Sequence, residues 1–223
     1  MTISTTLWVL IATVFVTYFA ISWIYKKLGI LNLKHALMIR NGLLFLNMKH
    51  VLGIMIFGVF FYFTWTEFQF TLNTIEIAPL HVLIPYLILL FVSALLAYRN
   101  SNGDESEYSE SGYYSFSKAW GYFMLRLLFL LAYEFFFRGV IFFSLLEHFS
   151  LWEAIAYNTL LYVLIHAFDS RKELFGSIPF GVVLCLFTYF TQSVWYAFIM
   201  HATLSTVYEI TIFYKQTKTT ILS

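Results

Sequence analysis

Four ionisable side chains stand inside runs of residues that are otherwise almost wholly apolar. Glu134 and Arg138 lie four apart within residues 127–143, LLFLLAYEFFFRGVIFF, and His166 and His201 occur in later apolar runs. An ionised group at mid-bilayer depth costs about 2.5–3.5 kcal/mol on insertion scales, so such residues usually face a protein interior and serve a function. Residues four apart on a helix lie one turn above each other, which places Glu134 and Arg138 on one face. Either the pair neutralises itself so that the helix can insert, or Glu134 is a general base or metal ligand oriented by Arg138. Gly139 would let another backbone approach at that level.

His166 closes an apolar run, and Asn158, Tyr162 and His166 recur every fourth residue, a polar stripe down one helical face. A histidine at a helix C-terminus can also do no more than satisfy free carbonyls. His201 lies deep in its run, and Ser205 and Tyr208 continue its face. Its bland reading is an interhelical hydrogen bond worth about 1 kcal/mol or less in a membrane. One glutamate, one arginine and two histidines on three apolar helices form the pattern expected where a bilayer protein holds water and a proton acceptor. There is no His-Glu-x-x-His and no cysteine pair, so a zinc site would have to be assembled across helices.

The elements that must position these groups are membrane helices. Hydrophobic residues make up 61% of the 223 and charged residues only 11%, against the roughly 25% charged expected of a soluble domain. A formal charge of +1 offers no basic surface for nucleic acid, and the single Cys185 permits no intrachain disulfide. The first apolar stretch has no Lys or Arg before it and is followed by Lys26 and Lys27, the reverse of a secretory signal. It reads as a retained anchor with its N-terminus outside.

A hydrocarbon core about 30 Å thick needs about 20 apolar helical residues. By that measure the spans fall at 6–25, 50–66, 79–98, 119–147, 152–168, 177–191 and 193–214. The expected fold is all-α: a polytopic transmembrane helical bundle of about seven (7–8) spans. Residues 28–49 carry Lys34, His35, Arg40 and Lys49 among leucines and methionines and read as an interfacial segment. Lys and Arg follow the first, third, fifth and seventh spans and are missing from the opposite loops, which puts the C-terminus in the cytosol. The polar stretch 99–118, with Asp104, Glu105, Glu107 and Glu110, reads as a cytosolic loop between a three-span part, 1–98, and a four-helix core, 119–214. The apolar runs are too long, and alternate too little, for barrel strands.

Three segments together resemble a known family. The runs Tyr133-Glu134-Phe135-Phe136-Phe137-Arg138-Gly139, Tyr162-Val163-Leu164-Ile165-His166 and His201-Ala202-Thr203-Leu204-Ser205 are similar, in order, to three motifs of the CAAX prenyl protease and bacteriocin-processing (Abi) family of intramembrane proteases. Those motifs read Glu-Glu-x-x-x-Arg, Phe/Tyr-x-x-x-His and His-x-x-x-Asn/Asp. The resemblance implies an endopeptidase that cuts a peptide or lipidated peptide in a cytosol-facing cavity; the compactness of the chain, separately, would suit a bacterial inner membrane. It implies Glu134 and His166 as activators of water, His201 as support for the oxyanion and Arg138 as the structural arginine. Tyr162 begins the second motif. Glu134, His166 and His201 would hold any divalent metal, such as zinc.

Two positions depart from the motifs. Tyr133 stands where the family has its first, catalytic glutamate, and Ser205 stands where it has Asn or Asp. Consecutive helical residues point about 100° apart, so Glu134 replaces that glutamate only if the helix is rotated. Ser205 can still donate one hydrogen bond. Two other functions fit the same residues: a non-catalytic relative acting as a membrane binding or immunity protein, and a proton-coupled carrier. The carrier lacks the paired broken helices or repeated halves that such proteins show.

Overall fold

The computed structural model describes residues 5–103 and 116–218, and every regular element among them is a helix. In chain order these are α1 (Thr5–Lys27), the short α2 (Leu33–Leu37), α3 (Gly42–Thr64), two short helical turns at Thr66–Gln69 and Phe70–Asn73, and α4 (Leu80–Gly103). They are followed by α5, which runs as Phe116–Glu134 and continues through Phe135–Ile141 to Phe142–Leu146. Then come α6 (Leu151–Ile165), α7 (Arg171–Thr191) and α8 (Val194–Lys218). Five helices, α1, α3, α4, α5 and α7, are long and apolar enough to cross a bilayer. The chain is therefore an all-helical integral membrane protein. Seven crossings were expected. Of the remaining two, α6 is apolar but has 15 residues, about 22 Å at 1.5 Å per residue, and α8 is outside the five.

The segment expected to lie at the interface, 28–49, divides in two. Asn32 caps α2 by accepting a hydrogen bond from the His35 N–H at 3.3 Å. Asn41 then turns the chain at a φ of 64°, and Gly42 opens α3. Residues 42–49 thus extend the second span, whose expected version, 50–66, was short for a crossing. The Lys49 ammonium lies 5.7 Å from each of the Tyr18 and Tyr25 ring centroids, a cation–π setting that eases a cation at the edge of an apolar helix. The expected loop 99–118 is entered later than foreseen, because α4 runs to Gly103. Its acidic stretch lies outside the described residues.

Burial singles out α5 as the axis of the bundle. Of its apolar window 78% is buried, against 17–33% for the other four candidate spans, which turn Phe63, Phe91 or Phe190 outward. Lipid is as apolar as leucine, so helices associate through close packing and polar contacts. Gly58 of α3 supplies such a contact, since a Cβ there would stand 2.8 Å from the Ala132 Cβ of α5. We expect Gly58→Leu to cost about 1–3 kcal/mol of overpacking. Thermal unfolding in detergent checks this, and an unchanged midpoint would contradict close approach of the two helices.

Both α3 and α5 contain a π-helical turn, at Ile54–Val59 and Phe135–Ile141. The two turns meet through aromatic rings, with Phe57 stacked on Phe136 at 4.6 Å. In α5 the Phe142 N–H reaches back to the Phe137 carbonyl, and Asn158 Nδ2 of α6 donates to that same carbonyl at 2.7 Å. A side chain from a neighbouring helix thus supports the irregular backbone, as apolar surroundings require. The Cys185 thiol completes the chain by donating to Asn158 Oδ1 at 3.2 Å.

Side-chain contacts define the two ends of the bundle. At one end Trp8 and His148 pack at 6.3 Å, and Ser193, Trp195 and Tyr196 bind the backbone of residues 72–78. At the other end Phe19 packs on Phe168 at 4.6 Å and Lys26 lies over the same ring at 5.4 Å. The turns rich in Lys and Arg, after α1 and after α6, therefore share that second end.

Candidate functional site

Inside the bundle α5, α6 and α8 bring the ionisable residues together. Glu134 and Arg138 are both fully buried and pair at 3.2 Å between Oε2 and Nη1, as their spacing implied. The second carboxylate oxygen, Oε1, lies 2.5 Å from Nδ1 of His201. A carboxylate is an acceptor, so Nδ1 carries the proton and Nε2 of a neutral His201 keeps its lone pair. The Arg138 guanidinium lies 4.2 Å from the Tyr162 ring centroid, flat aromatic support for a cation that would otherwise be expensive in lipid.

Tyr133 and Tyr162 fill the space between the histidines. The Tyr133 ring is 5.8 Å from His201 and 6.4 Å from His166, and Tyr162 is 6.3 Å and 4.8 Å from the same two rings. Tyr133 is 4% exposed, and its hydroxyl has no hydrogen-bond partner among the described residues. A buried unpaired hydroxyl is costly, and natural structures retain such groups where they have a task. Gly139, expected to admit a neighbouring backbone, instead makes room for the Thr71 hydroxyl and the Phe135 ring.

The two histidines have different carboxylate partners. Glu134 contacts His201, whereas His166 binds Asp169 through Nδ1 at 2.6 Å. His166 does form the C-cap of α6, yet its Nε2 is buried without a hydrogen-bond partner. Ser205 is not a free donor in place of the motif's Asn. It accepts from Arg126 Nε and Nη2 at 3.2 and 3.1 Å and gives its own proton to Glu209 at 3.1 Å.

A divalent metal would need Glu134, His166 and His201 turned toward one point. Both Glu134 oxygens are committed, one to Arg138 and one to His201, and His166 offers its Nε2 from a separate pairing. Among the described residues no group of three or more His, Cys, Asp or Glu side chains is arranged to hold a metal. These residues do not fit a three-ligand site in this arrangement.

Beside the cluster lies a second charged network that the sequence reading did not single out. Arg126 donates to Glu209 at 3.0 Å, and the Tyr122 hydroxyl donates to the other Glu209 oxygen at 2.8 Å. The signal was present, since Arg126 and Glu209 are ionised groups inside apolar spans just as Glu134 is. Elsewhere, a cavity of about 280 Å³ lined by Glu67, Phe68, Phe70, Phe143, Leu146 and Glu147 opens at the far end of α5 and shares no residue with the cluster.

Glu134, Arg138 and His201 thus form one buried cluster of ionisable groups inside a helical bundle. The family described as Rce1-like, type II CAAX prenyl endopeptidase, matches residues 115–207, so this part of the chain is similar to that family, in agreement with the three motifs. The match begins at the start of α5 and takes in α6, α7 and most of α8. The chain has no match among curated proteins or among solved structures.

Proposed function

We propose that the protein is an intramembrane endopeptidase that hydrolyses a peptide bond without a metal, using the Glu134–His201 pair as its base. The observation that carries this reading is the 2.5 Å contact of Glu134 Oε1 with His201 Nδ1. It leaves His201 Nε2 to take a proton from water while Glu134 stabilises the imidazolium that forms, the logic of an oriented base. Arg138 holds the carboxylate from its other oxygen. The water oxygen then bonds to the peptide carbonyl carbon, and its proton passes by way of His201 to the departing amine. The developing oxyanion needs a donor already in place, and the unpaired Tyr133 hydroxyl supports assigning that task to Tyr133.

The family supports a peptide or lipidated peptide as substrate. Lysines and arginines gathered near the Phe168 turn support entry from the cytosol, with the N-terminus outside. The test is cleavage of a peptide by the purified full-length protein in lipid, with chelator present. Wild type is expected to cut and His201→Ala to lose activity. No difference between the two would remove His201 from the mechanism.

Tyr133→Phe is a sharper probe. Removing an unpaired buried hydroxyl leaves folding within about 1 kcal/mol of wild type. Loss of one oxyanion donor should lower kcat by about 10²–10³-fold. A Tyr133→Phe protein with unchanged kcat would limit Tyr133 to packing. A second reading, a non-catalytic binding or immunity protein, is favoured by the same residue, because Tyr133 occupies the position of the family's first glutamate and fills the space between the histidines.

A further inference from the structure

His166 has a carboxylate partner of its own. Asp169 Oδ2 stands 2.6 Å from His166 Nδ1, in the five-residue link, 166–170, that joins α6 to α7. The backbone builds this contact in. The Asp169 N–H donates to the His166 carbonyl at 3.0 Å, which folds the carboxylate back over the ring it serves. Ser170 follows at once as the N-cap of α7, its hydroxyl and backbone locked in a reciprocal box with Glu173. Phe168, between the two partners, is pinned by Phe19 and Lys26 of α1. The link therefore has little freedom to move Asp169 away.

The two nitrogens of His166 lie in different surroundings. Nδ1 faces Asp169, whose side chain is 32% exposed, whereas Nε2 is buried and has no hydrogen-bond partner. Its ring borders Tyr162 at 4.8 Å and Tyr133 at 6.4 Å, the same rings that border His201. We infer that Asp169 is a positioning residue that fixes His166 as the Nδ1–H tautomer and presents its bare Nε2, as a proton acceptor, to the space it shares with Tyr133. The physical warrant is that the bond made by one imidazole nitrogen decides where the proton resides on the other. The site thus has two carboxylate–imidazole pairs, Glu134–His201 and Asp169–His166, approaching one tyrosine pair from different helices. The catalytic part of this inference rests on the endopeptidase reading; the tautomer does not.

The experiment is ¹⁵N NMR of the full-length protein in nanodiscs with labelled histidine, with the His166 signal identified by its loss in His166→Gln. In neutral His166 the expected spectrum shows a protonated Nδ1 and an unprotonated Nε2. Asp169→Ala is expected to move the proton to Nε2, while Asp169→Glu, which restores a carboxylate, returns it toward Nδ1. In the peptide assay Asp169→Ala should lower kcat by about 10–100-fold with KM little changed, the scale of losing a group that orients a reacting one. An Nε2–H tautomer in wild type, or a spectrum indifferent to Asp169→Ala, overturns the inference. An unchanged kcat in Asp169→Ala beside the expected spectra overturns its catalytic part. A wild type that shows the Nδ1–H tautomer but cleaves nothing ends the endopeptidase reading and leaves the pairing standing.

Discussion

Glu134→Gln should eliminate nearly all peptide cleavage and at the same time destabilise the fold. Both effects come from one carboxylate with two partners. Toward His201 the amide can still accept the Nδ1–H bond, so the ring keeps its place, but no negative charge remains to stabilise the imidazolium. Loss of an orienting carboxylate in an analogous base lowers kcat by about 10⁴-fold, and a drop of about 10³–10⁴ is expected here. Toward Arg138 the change leaves a cation that is 0% exposed without its counter-charge. Breaking a buried pair from one side costs about 3–5 kcal/mol. Initial rates and chemical unfolding in the same detergent measure the two effects. A variant that is less stable yet fully active would show that Glu134 serves only the ion pair.

The second large effect is on stability and comes from the partner. Arg138→Met alone leaves the Glu134 carboxylate buried with only His201 beside it, and a loss of about 3–5 kcal/mol is expected. The double variant Glu134→Gln, Arg138→Met has neither charge and roughly the original volume. A buried ion pair exchanged for neutral groups of similar size is often nearly neutral in energy, so the double variant should recover to within about 1 kcal/mol of wild type. The coupling in this double-mutant cycle is then about ten times or more the usual limit of about 0.5 kcal/mol for independent sites. Additive losses would mean that the two residues do not share one electrostatic unit. Tyr162 gives that unit its shape, since the guanidinium lies 4.2 Å from its ring centroid.

Much of this was readable without coordinates. The apolar runs located the helices because a bilayer admits few other structures, and the spacing of Glu134 and Arg138 foretold their pairing. The stripe Asn158, Tyr162, His166 does face inward, with Asn158 and Tyr162 buried. What the sequence hid were features set by neighbours. Residues 42–49 carry polar groups that suggest an interface, yet Lys49 finds two tyrosine rings and the helix begins at Gly42. The π turns arise where crowded aromatic rings of α3 and α5 meet, and no local pattern announces them. Which histidine meets Glu134 depends on how α8 rotates against α5, a tertiary matter. Asp169, three residues past His166, escaped notice because it stands outside the apolar runs where charges draw attention. Ser205, which stands where the motif has Asn or Asp, does donate one hydrogen bond, but to Glu209, and it accepts from Arg126.

The account turns on whether the Glu134 carboxylate acts on His201 or merely balances Arg138. The most direct measurement is single-turnover peptide cleavage by the Glu134→Gln, Arg138→Met protein, in which the fold is expected to survive while the carboxylate is gone. The account predicts wild-type stability with cleavage reduced by about 10³-fold or more. Cleavage at the wild-type rate from that protein would contradict it.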